Sequence, residues 1–292
     1  MDKKLEKLRS DYKNVPLPND LEEIVKNAIQ RSKLKRRFPI KSVTGLTAAA
    51  IFVLSLNTSP TFAKSLSNFP VLRNVVKVLT FTEYTVNEPT YNANIKVPAV
   101  SNLKNKDLEQ SLNQKYLKEN QELYVEFKNE ISSLEKNSTE AHLGVDSGYE
   151  VKTDNEDILS IERYVVNTVA SSSTTMKFDT IDKKKEILLS LPILFKDKSY
   201  IDIINKNIKE QMIDQMNQDE GKTYWIPEAN LDYSIVPFDS IKENQNFYIN
   251  KDYKLVISFD KYEVAPGYMG VVEFIIPTNI LANILVGNHY IR

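Results

Sequence analysis

The chain carries two apolar rhythms, broken once by a run without charge. Near the start, Leu21, Ile24, Val25, Ala28 and Ile29 fall at i, i+3, i+4, i+7 and i+8, the stripe of one helical face. Asn19 precedes the stripe and Glu22 stands three residues later, the two ends of a capping box. Leu5, Leu8 and Tyr12 mark a shorter helix ahead of Pro16 and Pro18. After the uncharged run, Leu66, Phe69, Leu72, Val76 and Leu79 give residues 64–82 the pattern of an amphipathic helix.

From Tyr91 the pattern alternates between strand and helix. A strand over 91–100 leads into a helix over 105–135, where Leu112, Tyr116, Leu123, Phe127, Ile131 and Leu134 recur at helical spacing. Gly, Ser and Asp around 142–148 predict a loop, followed by strands over 148–153, 158–170 and 174–181. A helix over 199–217 turns Ile201, Ile204, Ile208 and Met212 inward. The run 253–259 alternates at period two, as a half-buried strand does. The loop from Ala265 to Gly270 then leads into a strand over 271–277 and a last helix capped by Thr278 or Asn279. The expected fold class is α+β: a short helical head, one transmembrane helix, and an external mixed domain of antiparallel-type sheet with packed helices.

The uncharged run explains the transmembrane expectation. Lys41 and Lys64 bracket 22 uncharged residues, about 33 Å as a helix, against a hydrocarbon core of about 30 Å. Lys33, Lys35, Arg36, Arg37 and Lys41 precede it and hold that end in the cytosol. Thr44, Thr47, Asn57, Thr58 and Ser59 make the span weakly apolar, while Thr61 and Ala63 place small residues at −3 and −1 of a signal-peptidase site between Ala63 and Lys64. A plain single-pass anchor and a cleavable signal-anchor both fit. Four segments follow: 1–41, 42–63, 64–82 and 83–292, the last dividing into 83–180 and 181–292.

Charge divides the chain the same way. Of 38 basic and 39 acidic residues, 12 and 6 lie in residues 1–41, which leaves 26 and 33 in 64–292. An external body of net charge −7 disfavours nucleic acid and suits a cationic protein partner. With no Cys, and His only at 142 and 289, no disulfide, thiolate nucleophile or zinc finger is available. No phosphate loop or HExxH motif occurs, and the acidic group Asp154, Glu156 and Asp157 reads as a solvated loop. We expect no enzyme activity, no cofactor and no metal. The head is too small to bury its own stripe, so that stripe either meets a protein partner or lies on anionic lipid.

The head from Met1 to Ile29, the stretch NFPVLRNVVKVLTF and the terminal FDKYEVAPGYMGVVEFIIP together resemble the RsiV family of anti-sigma-V factors over nearly the whole chain. The terminal motif is also similar to non-catalytic regions attached to some peptidoglycan deacetylases. The resemblance implies a head that binds an extracytoplasmic-function sigma factor through Leu21, Ile24, Val25, Ala28 and Ile29. It also implies an external region that binds lysozyme, a basic protein. Cleavage by signal peptidase and then by an intramembrane metalloprotease would free the sigma factor. For lysozyme contact the candidates are Pro266, Gly267 and Tyr268, with Ser172 and Ser173 reaching in from a neighbouring turn; alternatively Tyr268 covers the sheet's edge. A secreted or anchored peptidoglycan- or polysaccharide-binding module is the alternative reading, and an enzyme acting on the cell wall is a third.

Overall fold

The computed structural model describes residues 76–136, 141–227 and 235–292. The expected head, the uncharged span and the Ala63–Lys64 junction lie outside them. Among the described residues no helix is long and apolar enough to cross a membrane.

Strands β1 (Lys77–Asn87) and β2 (Tyr91–Ser101) form an antiparallel hairpin. Helix α1 (Lys106–Lys136) then crosses to β3 (Leu143–Asp154), which pairs parallel with β2 from Tyr91↔Leu143 to Ile95↔Ser147. Strands β4 (Ile158–Val169), β5 (Ser171–Asp182) and β6 (Ile187–Leu189) complete a six-stranded sheet in sequential order. One pair is therefore parallel in a sheet expected to be antiparallel. A 31-residue helix between two strands permits it, because parallel neighbours need a crossover rather than a tight turn.

Helix α1 starts where its sequence says it should. Asn105 Oδ1 accepts the Leu108 amide at 3.1 Å, and Asp107 and Glu109 sit at the positive end of the helix dipole. Its buried face carries Leu112, Tyr116, Leu117, Phe127 and Ile131, which agrees with the helical spacing. Asn113 and Asn120 are buried on that face as well. The register between β2 and β3 ends at Ile95, and Asn113 takes over at Val100, accepting its N–H at 2.7 Å and donating to its carbonyl at 2.9 Å. Asn120 accepts the Ser147 hydroxyl at 2.9 Å. These amides satisfy polar groups that the sheet leaves open.

Two further expectations need correction. The loop over 142–148 is the first half of β3, paired on both sides; hydrogen bonding from β2 and β4 outweighs the low strand preference of its Gly, Ser and Asp residues. Gly148 leaves room there for the Tyr164 ring, since a Cβ would lie 2.5 Å from its hydroxyl oxygen. In residues 64–82 the helical pattern fails from Lys77, where the chain is strand β1. Thr80, Thr82 and Thr85 favour extended backbone, and β2 supplies the hydrogen bonds.

The C-terminal part builds a second core. Helix α2 (Tyr200–Gln218) buries Tyr200, Ile204, Ile208 and Met212 and packs with the antiparallel strands β7 (Phe247–Ile249), β8 (Leu255–Phe259) and β9 (Val272–Ile276). Expected as half-buried, β8 is buried at all five positions, because it is the central strand between β7 and β9 in the core that α2 helps to close. Thr153 Oγ1 donates to the Ile249 carbonyl at 2.7 Å, and Phe178 stacks on Tyr248 at 5.2 Å between centroids. The last helix, α3 (Thr278–Leu281), follows Pro277 without a side-chain cap. Proline fixes the entry angle that Thr278 or Asn279 was expected to set.

Candidate functional site

The surface that carries the expected contact residues is built by the segment after β8 and the tip of the β4–β5 hairpin. Val264 and Ala265 are buried, and the Val264 carbonyl accepts the Trp225 amide at 2.8 Å, so the loop that follows rises from an anchored base. Gly267–Met269 form one short 3-10 turn, which Gly270 ends at φ 67°, a conformation that favours glycine. Tyr268 projects from that turn with 68% of its surface exposed. Its hydroxyl donates to Thr223 Oγ1 at 2.8 Å, which ties the ring to the segment after α2.

Gly267 has a steric reason. A Cβ there would sit 2.2 Å from Tyr262 Cζ, so the loop closes against the Tyr262 ring only because position 267 lacks a side chain. Tyr262 adopts φ 71° and is itself 45% exposed. Lys261 ties this loop to the hairpin: Nζ lies 2.8 Å from Ser172 Oγ and 5.2 Å from the Tyr262 ring centroid. The backbone bonds agree, with the Lys261 amide on the Thr174 carbonyl at 3.1 Å and the Met176 amide on Asp260 Oδ1 at 2.7 Å. Burial pushes the Asp260 carboxyl above its ordinary range, against the lowering effect of that Met176 bond.

Lys261 and Tyr262 thus link Ser172 to Gly267, which stands between Pro266 and Tyr268. Ser173 does not join them. The serine run lies in β5 rather than in a turn, and period two puts Ser172 beside Lys261 and Ser173 on the other face. Sequence reasoning passed over Lys261 and Tyr262, although Asp260 and Glu263 signal a tight turn there: Glu263 Oε2 accepts the Asp260 amide at 2.8 Å. Two exposed tyrosines, Tyr262 and Tyr268, suit stacking and hydrogen bonding to a partner.

A second polar constellation lies at the opposite end of β4 and β5. Asp157, expected in a solvated loop, is only 6% exposed. It accepts Lys184 Nζ at 2.5 Å and the Tyr253 hydroxyl at 3.0 Å, with the Arg292 guanidinium at 3.6 Å. Next to it, Asp182 accepts the Tyr290 hydroxyl at 2.6 Å. The Lys184 bond, chiefly, holds the Asp157 carboxyl below the usual range despite burial. Burial raises Asp182, but Tyr290 and the amides of Lys185 and Lys184 outweigh it, so that carboxyl also titrates low.

A carboxylate depressed in the folded state stabilises above its unfolded pKa of about 3.9 and loses that contribution as pH falls through the folded value. The Asp157→Asn variant of the 64–292 fragment should therefore melt lower at pH 7, by about 1–2 kcal/mol of stability. The gap to the parent should narrow below about pH 4. Melting followed by circular dichroism across pH checks this, and a gap that is constant down to pH 2.5 contradicts it.

Among the described residues no group of three or more His, Asp or Glu side chains could hold a metal ion. Glu162 and Glu273 both face Lys152, at 3.1 and 3.9 Å, and Tyr248 donates to Glu273 at 3.0 Å. Burial raises the Glu162 carboxyl more than Lys152 lowers it. Lys152 is the extra residue of a β3 bulge, which turns its side chain into this group, so the cluster reads as an ion-pair network between the two sheets.

Residues 193–279 match the model of a family described as a protein of unknown function, DUF3298. A crystal structure of a DUF3298 family member from Bacteroides fragilis NCTC 9343 superposes with a TM-score of 0.51 at 17% identity, covering 74% of this chain and 95% of that one. That likeness concerns the fold. A DUF3298 family protein from Pseudomonas aeruginosa PAO1 gives a TM-score of 0.48 at 14% identity, over 75% of this chain and 97% of that one. The anti-sigma-V factor RsiV of Bacillus subtilis strain 168 is 48% identical over 293 residues, covering 100% of both chains. With that identity running from end to end, the chain belongs to the RsiV family of anti-sigma-V factors.

Proposed function

We propose that this chain is a single-pass membrane protein that sequesters an extracytoplasmic-function sigma factor in the cytosol and releases it when its external region binds lysozyme. One observation carries the anti-sigma role: 48% identity to an anti-sigma-V factor over the full length, residues 1–41 included. The Leu21–Ile29 stripe supports it, as an apolar face without enough chain around it to be buried. In this reading residues 42–63 anchor the chain with the N-terminus inside. Signal peptidase cuts between Ala63 and Lys64, reading Thr61 and Ala63, and an intramembrane metalloprotease completes the release. No cofactor takes part.

Full-length chain and a version lacking residues 1–41, each co-expressed with a sigma factor of this class, test the anti-sigma role. Co-purification with the full-length chain alone is the expected result; equal retention by both moves the binding elsewhere.

For lysozyme, the support is the match between a basic partner, a body of net charge −7 and the exposed Tyr268 platform. Tyr268→Ala in the 64–292 fragment should weaken lysozyme binding at least tenfold, about 1.4 kcal/mol. The melting temperature should hold, since the ring is mostly exposed. Tyr268→Phe keeps the ring and loses only the bond to Thr223, so it should fall between the two. Unchanged affinity of a folded Tyr268→Ala variant in titration calorimetry removes Tyr268 from the interface.

A further inference from the structure

At the end of the sheet far from Tyr268, a groove of about 400 Å³ opens beside β6. Its floor is the buried pair Leu194 and Leu285. Ile187, Ile193 and Val286 line its sides with 42, 48 and 65% of their surfaces exposed, and Lys185 stands at one end. Backbone bonds fix its walls: the Val286 amide donates to the Leu194 carbonyl at 3.0 Å and the Lys196 amide to the Ile284 carbonyl at 2.8 Å. Exposed Val and Ile side chains gathered around a preformed concavity mark a contact surface.

The course of the chain points to what fills it. Lys77, the first residue of β1, pairs with Ser101 at the end of β2. Three and four residues on, the amides of Lys104 and Asn105 donate to the Glu186 carboxylate, the former at 2.8 Å, and Glu186 immediately precedes Ile187. The chain therefore enters the body at the end of the sheet that carries the groove. Successive chain lengths put Lys77 within about 25 Å of Glu186, and eight extended residues cover about 27 Å. Phe69 stands eight residues before Lys77, within that extended reach. From this geometry we infer that residues 64–76 of the same chain dock in the groove, with Phe69 as the anchor between Ile187, Ile193 and Val286. A Phe side chain buries 150–250 Å² in such a seat, and the tether spares it most of the cost of association.

Docking of this kind needs neither sigma factor nor lysozyme; the test rests on the proposed function only for the external placement of residues 64–292, which cross-linking of the reference pair reports separately. The chain has no cysteine, which makes an introduced pair unambiguous. Asn68→Cys leaves the apolar residues intact, and Gly287→Cys places its side chain in open space, since a Cβ there meets nothing within 4 Å. The full-length double variant, oxidised with copper phenanthroline in intact bacterial cells, should form an intramolecular disulfide. The reference pair is Asn68→Cys with Ser171→Cys, at the opposite end of β5. Docking should make the groove pair cross-link at least about tenfold faster than the reference pair, through its higher effective concentration. Adding Phe69→Asp should abolish that advantage. Equal rates for the two pairs, or a rate indifferent to Phe69→Asp, overturn the inference. So does a disulfide-linked dimer forming as fast from Gly287→Cys alone, which assigns the groove to a second copy.

Discussion

Arg163→Leu should cost the external region about 3–5 kcal/mol, because it leaves a carboxylate buried without its main partner. Arg163 and Asp179 are 6% and 2% exposed. The guanidinium meets Asp179 Oδ2 through Nε at 3.2 Å and Nη2 at 3.1 Å, and Glu119 through Nη1 at 2.6 Å. It also lies over the Tyr116 ring, 4.4 Å from the centroid. One side chain on β4 thus holds α1, through Tyr116 and Glu119, and β5, through Asp179. Lys115 still reaches Asp179 at 2.8 Å, but its ammonium is a point charge at the rim and cannot replace a planar fork. Arg163→Lys should accordingly recover only part of the loss. The double variant Arg163→Leu/Asp179→Leu should be more stable than Arg163→Leu alone, since it removes the stranded charge. Urea unfolding of the 64–292 fragment reads all three, and a loss below about 1 kcal/mol would place the pair among those that contribute little.

Burial of that order was not readable from ERYVV: period two puts Arg163 on the face of Ile161 and Val165, but a charge there gives no sign of the Asp179 and Glu119 partners that let it be buried. Periodicity locates elements well when apolar residues carry it: α1, α2, β2, β4 and β9 all stand where their spacing places them. It fails where polar residues are inside. Asn113 and Asn120 sit on the buried face of α1 because β2 and β3 part company there, which no local pattern announces. The first half of β3 reads as a loop for the same reason, its strand state being imposed by neighbours on both sides.

The candidate surface was half legible. Tyr268, with Pro266 before it and Gly267 and Gly270 around it, stands out as a shaped loop in the sequence alone. Joining it to Ser172 required a contact across 89 positions, made by Lys261. Period two also decides against Ser173, but only once the serine run is known to be strand rather than turn. Asp157 shows the converse error: three acidic positions in a polar stretch suggest solvent, yet one of them gathers Lys184, Tyr253 and Arg292 from distant parts of the chain.

The proposed anti-sigma role makes its sharpest claim at Ile24, in the segment outside the described residues. If the stripe seats a sigma factor, Ile24 is one of its anchors, neighbouring Leu21 and Ala28 on the face they share with Val25 and Ile29. Central apolar anchors typically cost 2 kcal/mol or more when truncated, and a carboxylate in the same place adds the penalty of an unpaired buried charge, several kcal/mol. Ile24→Asp should therefore weaken the complex by at least about a hundredfold, near 2.7 kcal/mol. In cells this should switch on a reporter driven by the sigma factor's promoter with no lysozyme present. Charge alone is controlled by Gln30→Asp, which adds the same carboxylate on the opposite face of the helix from the stripe. Its reporter should stay silent. Equal activation by both variants would mean that the head responds to charge rather than to its apolar face, and full repression by Ile24→Asp would remove the stripe from the sigma-factor interface.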